Sequence, residues 1–123
     1  MYPPVFETCS VSDAVNQTLG GADRLRLFPF GQAPFKETRT YALWQVAAGA
    51  PENYLGDIPD LDHYTLQFDV YSESVDDARL AAQALRDAIE PTAYITLWDG
   101  ETRDPTTGSY RLTFMVDWYV TRA

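Results

Sequence analysis

Three features of the 123-residue sequence predict an α+β fold: an antiparallel or mixed sheet of about five strands, with an N-terminal helix and one long amphipathic helix packed on it. Stretches 64–72 and 109–121 alternate apolar and polar residues, the period of a strand with one buried face. Residues 75–90 repeat apolar side chains at spacings of three and four, the period of a helix with one buried stripe. Seventeen aromatics (three Trp, eight Tyr, six Phe) are a high share for this length and suit half-buried sheet surfaces. The length predicts one domain, 1–123, with a core of its own.

Residues 4–19, "PVFETCSVSDAVNQTL", read as a helix or two short turns burying Val5, Phe6, Cys9, Val15 and Leu19, with Ser12 able to cap a second turn. Gly20–Gly21 is expected to stop it through the left-handed conformation that glycine tolerates. "RLRLFPF" (24–30) is a short strand whose Pro29 puts it at a sheet edge or at its own end, and 31–38 is a loop. In 40–49, "TYALWQVAAG", Tyr41, Leu43 and Gln45 point one way and Ala42, Trp44 and Val46 the other. An open loop over 51–64 leads into the strand 64–72, where Tyr64, Leu66, Phe68 and Val70 oppose Thr65, Gln67 and Asp69 on a wet face.

In the helix 75–90 the stripe is Val75, Ala78, Ala82, Leu85 and Ile89; Ser74 with Asp77 resembles a capping box and Pro91 ends the helix. Strands 93–98 and 109–121 follow, joined by ten residues, 99–108, that are long for a hairpin loop and should project. In the last strand Tyr110, Leu112, Phe114, Val116, Trp118 and Val120 share one face. The order α-β-β-β-α-β-β lets 40–49 pair with 64–72, and 93–98 with 109–121, on either side of the helix.

The net charge of −9 is concentrated: residues 57–104 hold twelve acids against three arginines, while the flanks nearly cancel. Such a surface does not grip nucleic acid, which needs clustered Lys and Arg, although it suits a wall past which DNA slides. A single cysteine excludes an internal disulfide and a zinc–cysteine cluster. The start, "MYPPVFETCS", has no secretion-signal pattern, and no apolar run is long enough to span a membrane. These features predict a soluble protein made in a reducing cytoplasm.

"PENYLGDIPDLDHY" (51–64) looks most like chemistry, combining four acids with His63, the chain's one histidine. It fails as a calcium loop: counted from Asp57 the third position is Pro59, and counted from Asp60 the fifth is Tyr64. With no second histidine a zinc or iron site lacks ligands; spacing leaves a carboxylate-only magnesium site open, but acids that solubilise a turn-rich loop are the simpler reading, so no metal and no cofactor is expected. A Cys9–His63 pairing and the carboxylates Asp99 and Glu101 are the remaining catalytic possibilities, but "DG" at 99–100 is first a turn signal. No nucleophile elbow, phosphate loop or dinucleotide fingerprint is present. No catalytic residue is therefore assigned. The interaction reading is better supported: Glu52, Asn53, Tyr54 and Leu55 put a ring and a leucine on a loop bounded by Pro51 and Gly56. Asp99, Glu101, Arg103 and Asp104 place charges suited to a neighbouring copy on the second loop.

"LFPFGQAP", "YALWQVAAGAPENYLGDIPDLDHYTLQFDVYS", "ARLAAQALRDAIEP" and "WDGETRDPTTGSYRLTFMVDWYV", in that order, resemble the tail-terminator (tail-completion) proteins of long-tailed bacteriophages. The likeness runs from about Leu25 to Val120. Its most specific parts are P-E-N-Y-L-G at 51–56 and the pattern from Asp104 through Tyr110 to Asp117–Trp118. The resemblance implies a virion structural protein of a phage or phage-derived particle. It would form a homo-hexameric ring on the head-proximal end of the tail tube, ending tube polymerisation. Its partners would be further copies of itself, the tail tube protein and the head completion or connector protein, with DNA passing the lumen unbound. It implies no enzymatic activity and no membrane contact, and makes 51–56 and 99–108 the expected assembly loops. A different neck or tube-like ring subunit is the nearest alternative, and a small sheet-based hydrolase a more distant one.

Overall fold

A computed structural model describes residues 2–20, 24–34 and 37–122. The chain runs α1 (Val5–Ser10), α2 (Asp13–Leu19), β1 (Leu27–Pro29), β2 (Tyr41–Pro51), β3 (Leu61–Ser72), α3 (Val75–Ile89), β4 (Tyr94–Arg103) and β5 (Tyr110–Thr121). Among the described residues this is the α+β arrangement the patterns predict: a five-stranded mixed sheet in the order β1-β2-β3-β5-β4, with three helices. Only β1 lies parallel to its neighbour, through Leu27↔Ala42 to Pro29↔Trp44, and Pro29 does end an edge strand.

The N-terminal segment forms two helices, not one. Ser12 breaks it, and its Oγ accepts the Val15 N–H at 3.2 Å. Val5, Cys9, Val15 and Leu19 are buried as expected, but Phe6 is 48% exposed. Successive residues of a helix are about 100° apart, so a face set by Val5 and Cys9 turns Phe6 outward. Gly20 caps α2 with φ −119°, a right-handed conformation. Glycine is needed there for space, because a Cβ would lie 2.9 Å from the Asn16 carbonyl oxygen. Gly21, and positions 35 and 36 of the expected 31–38 loop, fall outside the described residues.

The core lies between the helices and one face of the sheet. Ala78, Ala82, Leu85 and Ile89 of α3 are buried with Leu66, Phe68 and Val70 of β3 and Leu112, Phe114, Val116 and Trp118 of β5. Phe68 and Phe114 stack with centroids 5.0 Å apart. Val75, at the start of the expected stripe, is only partly covered. β5 takes an interior position between β3 and β4, and β4 the edge, which fits their side chains: β4 carries Asp99 and Gly100, β5 an unbroken apolar face.

The opposite face of β3 is less wet than alternation suggests. Asp69 is 8% exposed and sits across from Thr113, whose Oγ1 donates to it at 2.6 Å; Gln67 Nε2 donates to its other oxygen at 3.1 Å. Two donors make that burial tolerable.

Both hairpins are longer than the sequence signals. β2 continues to Pro51 and β3 begins at Leu61, so both ends of 51–64 are strand, the loop proper is 52–60, and His63 lies in the sheet. Likewise β4 continues to Arg103, pairing Glu101↔Leu112 and Arg103↔Tyr110, so the expected 99–108 loop is half strand. Asp99–Gly100 is a β-bulge rather than a turn, with Gly100 at φ +93° supplying the extra residue. The chain reverses later, over 104–109, where the Gly108 N–H bonds the Asp104 carbonyl at 2.8 Å.

Ser74 caps α3 as expected, its Oγ accepting the Asp77 N–H at 3.3 Å. Ser74→Ala should cost about 1 kcal/mol in urea denaturation and Ser74→Asp should recover most of it, since either oxygen can fill the cap. Equal loss in both variants would mean that the hydroxyl acts elsewhere.

Two candidate contact sites at opposite ends of the sheet

The end of the β2–β3 hairpin is the first. The last ladder pair is Pro51↔Asp62, and the Glu52 N–H bonds the Leu61 carbonyl at 2.8 Å, which closes the base. Beyond it Tyr54 is 49%, Ile58 76% and Leu55 101% exposed, an apolar group left open to solvent among the described residues. Arg122, just past β5, straps the base: its guanidinium donates to both Asp62 oxygens at 2.9 and 2.8 Å and to the Pro59 carbonyl at 3.1 Å. Those bonds hold the Asp62 carboxyl below the usual carboxylate range. Beneath the tip, His63 stacks on Tyr119 at 4.6 Å, with Nε2 3.3 Å from Asp117 and Nδ1 3.8 Å from Glu52.

Glu52, Asn53, Tyr54 and Leu55 thus lie together on the tip, where sequence reasoning puts them. It missed Ile58, an apolar residue between acids, and Arg122, which joins the loop only through the β3–β5 pairing.

The second group does not form one exposed loop. Asp99 sits in the β4 bulge, while Glu101 turns to the helix face and pairs bidentately with Arg79 of α3 at 2.7 and 2.9 Å. The same pairing lowers the Glu101 carboxyl. The Arg103 guanidinium lies over the Tyr110 ring, 5.6 Å from its centroid. Asp104 shapes the turn, accepting the Thr106 N–H at 2.8 Å, which holds its carboxyl low.

Arg103 and Asp104 border instead a cleft of about 720 Å³ at the far end of the sheet. Tyr41 and Tyr71, cross-strand neighbours, stack there with centroids 5.0 Å apart, and Arg111 lines the same space. Burial pushes the Tyr41 hydroxyl up, with Tyr71 adding to it. Neither tyrosine stands out in sequence; their pairing needs the β2–β3 register.

The catalytic possibilities do not assemble. Cys9 is fully buried among the core side chains, and burial pushes its thiol up to about 12, far from a reactive thiolate. His63 is on the opposite face of the sheet, so the sheet itself separates the two. Glu101 is committed to Arg79 and does not pair with Asp99. Among the described residues no group of three or more His, Cys, Asp and Glu is placed to hold a metal ion, and no helix is long and apolar enough to cross a membrane.

Comparison with known proteins agrees with the fold and its setting. The family model described as "Tail completion protein gp17" matches residues 3–121. A chain from the structure titled "Virion of native gene transfer agent (GTA) particle" superposes with a TM-score of 0.64 at 10% identity, covering 95% of this chain and 91% of that one. At that identity the likeness is one of fold. Individual curated proteins give no significant match.

Proposed function

Because the chain belongs to the tail completion protein gp17 family, structural proteins of phage tails, we propose that it closes the head-proximal end of a tail tube as a ring of six copies. The ring stops further tube subunits from adding and presents the surface on which the head connector docks. Capping proceeds by shape and charge complementarity with no covalent step. The observation that carries the reading is the uncovered tip: an arm ending in Tyr54, Leu55 and Ile58 is costly for an isolated domain and useful in an assembly. The free edge of β4, broken by two bulges, likewise suits a protein that must not polymerise without limit. The acidic excess, −9 overall, suits a lumen that DNA traverses without sticking.

Particles assembled without the protein test this directly. Electron microscopy should show tubes of excessive and variable length that carry no heads. Tubes of normal length lacking heads would instead make it a neck component acting after length is set.

A further inference from the structure

We propose that the tip of the β2–β3 hairpin of one copy seats in the Tyr41–Tyr71 cleft of a second copy, making a head-to-tail junction. The inference rests on the ring reading above and names the contact that would close it. The two surfaces are complementary. Around the apolar tip, Asp57 and Asp60 make no ion pair among the described residues. At the cleft, Arg103 and Arg111 likewise have no carboxylate partner among the described residues, whereas Arg79, Arg86 and Arg122 are each held by one.

The cleft's own acids are mostly committed. Glu37 is bound by Arg39 at 3.0 Å and Asp104 by its turn amides, which leaves Glu73. Stacked tyrosines with two guanidinium groups that have no carboxylate partner among the described residues fit an acidic, apolar loop, and about 720 Å³ lies within the roughly 300–1,000 Å³ range of sites that enclose a ligand.

The contact must be between copies. Tyr41↔Tyr71 and Pro51↔Asp62 are opposite ends of one ladder, ten residues apart on β2, or about 33 Å at 3.3 Å per residue. A tip cannot fold back to its own cleft. A junction between two different surfaces is heterologous, and such a contact generates a closed ring when its rotation closes.

Two variants test the junction in native mass spectrometry: a tip variant, Tyr54→Ala with Leu55→Ala, and a cleft variant, Arg103→Glu with Arg111→Glu. Each alone should associate at least about thirtyfold more weakly than wild type. Mixed in equal amounts they should form heterodimers and nothing larger, because each pair retains one intact tip and one intact cleft. Circular dichroism checks that each is folded. An independent measurement mixes Leu55→Cys with Thr107→Cys in otherwise unaltered chains and adds a short bismaleimide. A cross-linked dimer should appear only in the mixture, buried Cys9 staying silent. If wild type forms rings, both variants still form them and no cross-link appears, the junction is overturned and the ring reading stands. A wild type that stays monomeric, and gives no cross-link even on purified tail tubes, overturns both.

Discussion

Tyr54→Ala combined with Leu55→Ala is expected to leave a folded monomer that no longer caps tubes. The two halves of that expectation have separate causes. Leu55 is fully exposed and Tyr54 is half exposed, so truncating them removes from the chain only the contacts of the covered half of Tyr54. The unfolding free energy should move by no more than about 0.5 kcal/mol, as for other surface changes. In the proposed junction the same side chains would be buried against a partner, and burying a leucine or an aromatic is worth roughly 1.5–3 kcal/mol each. Losing both should weaken association by about 3–6 kcal/mol, roughly two to four orders of magnitude. Sedimentation velocity of the purified variant and tail-length measurement on particles carrying it read the two consequences separately. Normal rings and normal tails from the double variant would remove the tip from the assembly surface.

The sequence shows where this arm begins more clearly than what it rests on. The alternation in 64–72 and 109–121, the stripe in 75–90 and the caps at Ser12 and Ser74 are local signals, and each corresponds to an element or cap in the structure. The tip was legible because apolar residues between proline and glycine have no local reason to be there. What misled were signals with two physical meanings. "DG" at 99–100 favours a turn in isolation, but β5 offers a partner along the whole of β4, so pairing continues and glycine's freedom is spent on a bulge. Phe6 counts as core by composition and is turned out by the geometry of a six-residue helix. Of the cleft only the rim, Arg103 and Asp104, was legible, since Tyr41, Tyr71 and Arg111 are far apart in sequence and meet only through the strand order.

Phe114→Ala is the substitution expected to damage the fold most, and it separates stability from assembly. Phe114 is fully buried on the interior strand β5, stacked on Phe68 at 5.0 Å and tilted against Trp98 at 5.1 Å, so it bridges both hairpins. Its ring is enclosed by sheet and helix, and α3 cannot settle into the void without breaking its own contacts with β3. Such a truncation costs about 3–5 kcal/mol, against a total of roughly 5–15 kcal/mol for a domain of this kind. The urea midpoint should fall sharply with the denaturant slope unchanged. A loss below about 1.5 kcal/mol would mean that the core closes over the gap. The assembly consequence is opposite in kind to that of the tip variant. Because Phe114 touches neither the tip nor the cleft, the folded fraction should still form rings, and the yield of rings should follow the fraction folded as urea is raised. Ring loss at urea concentrations where the monomer is still folded would show that packing around β5 also sets the angle between the two ends of the sheet.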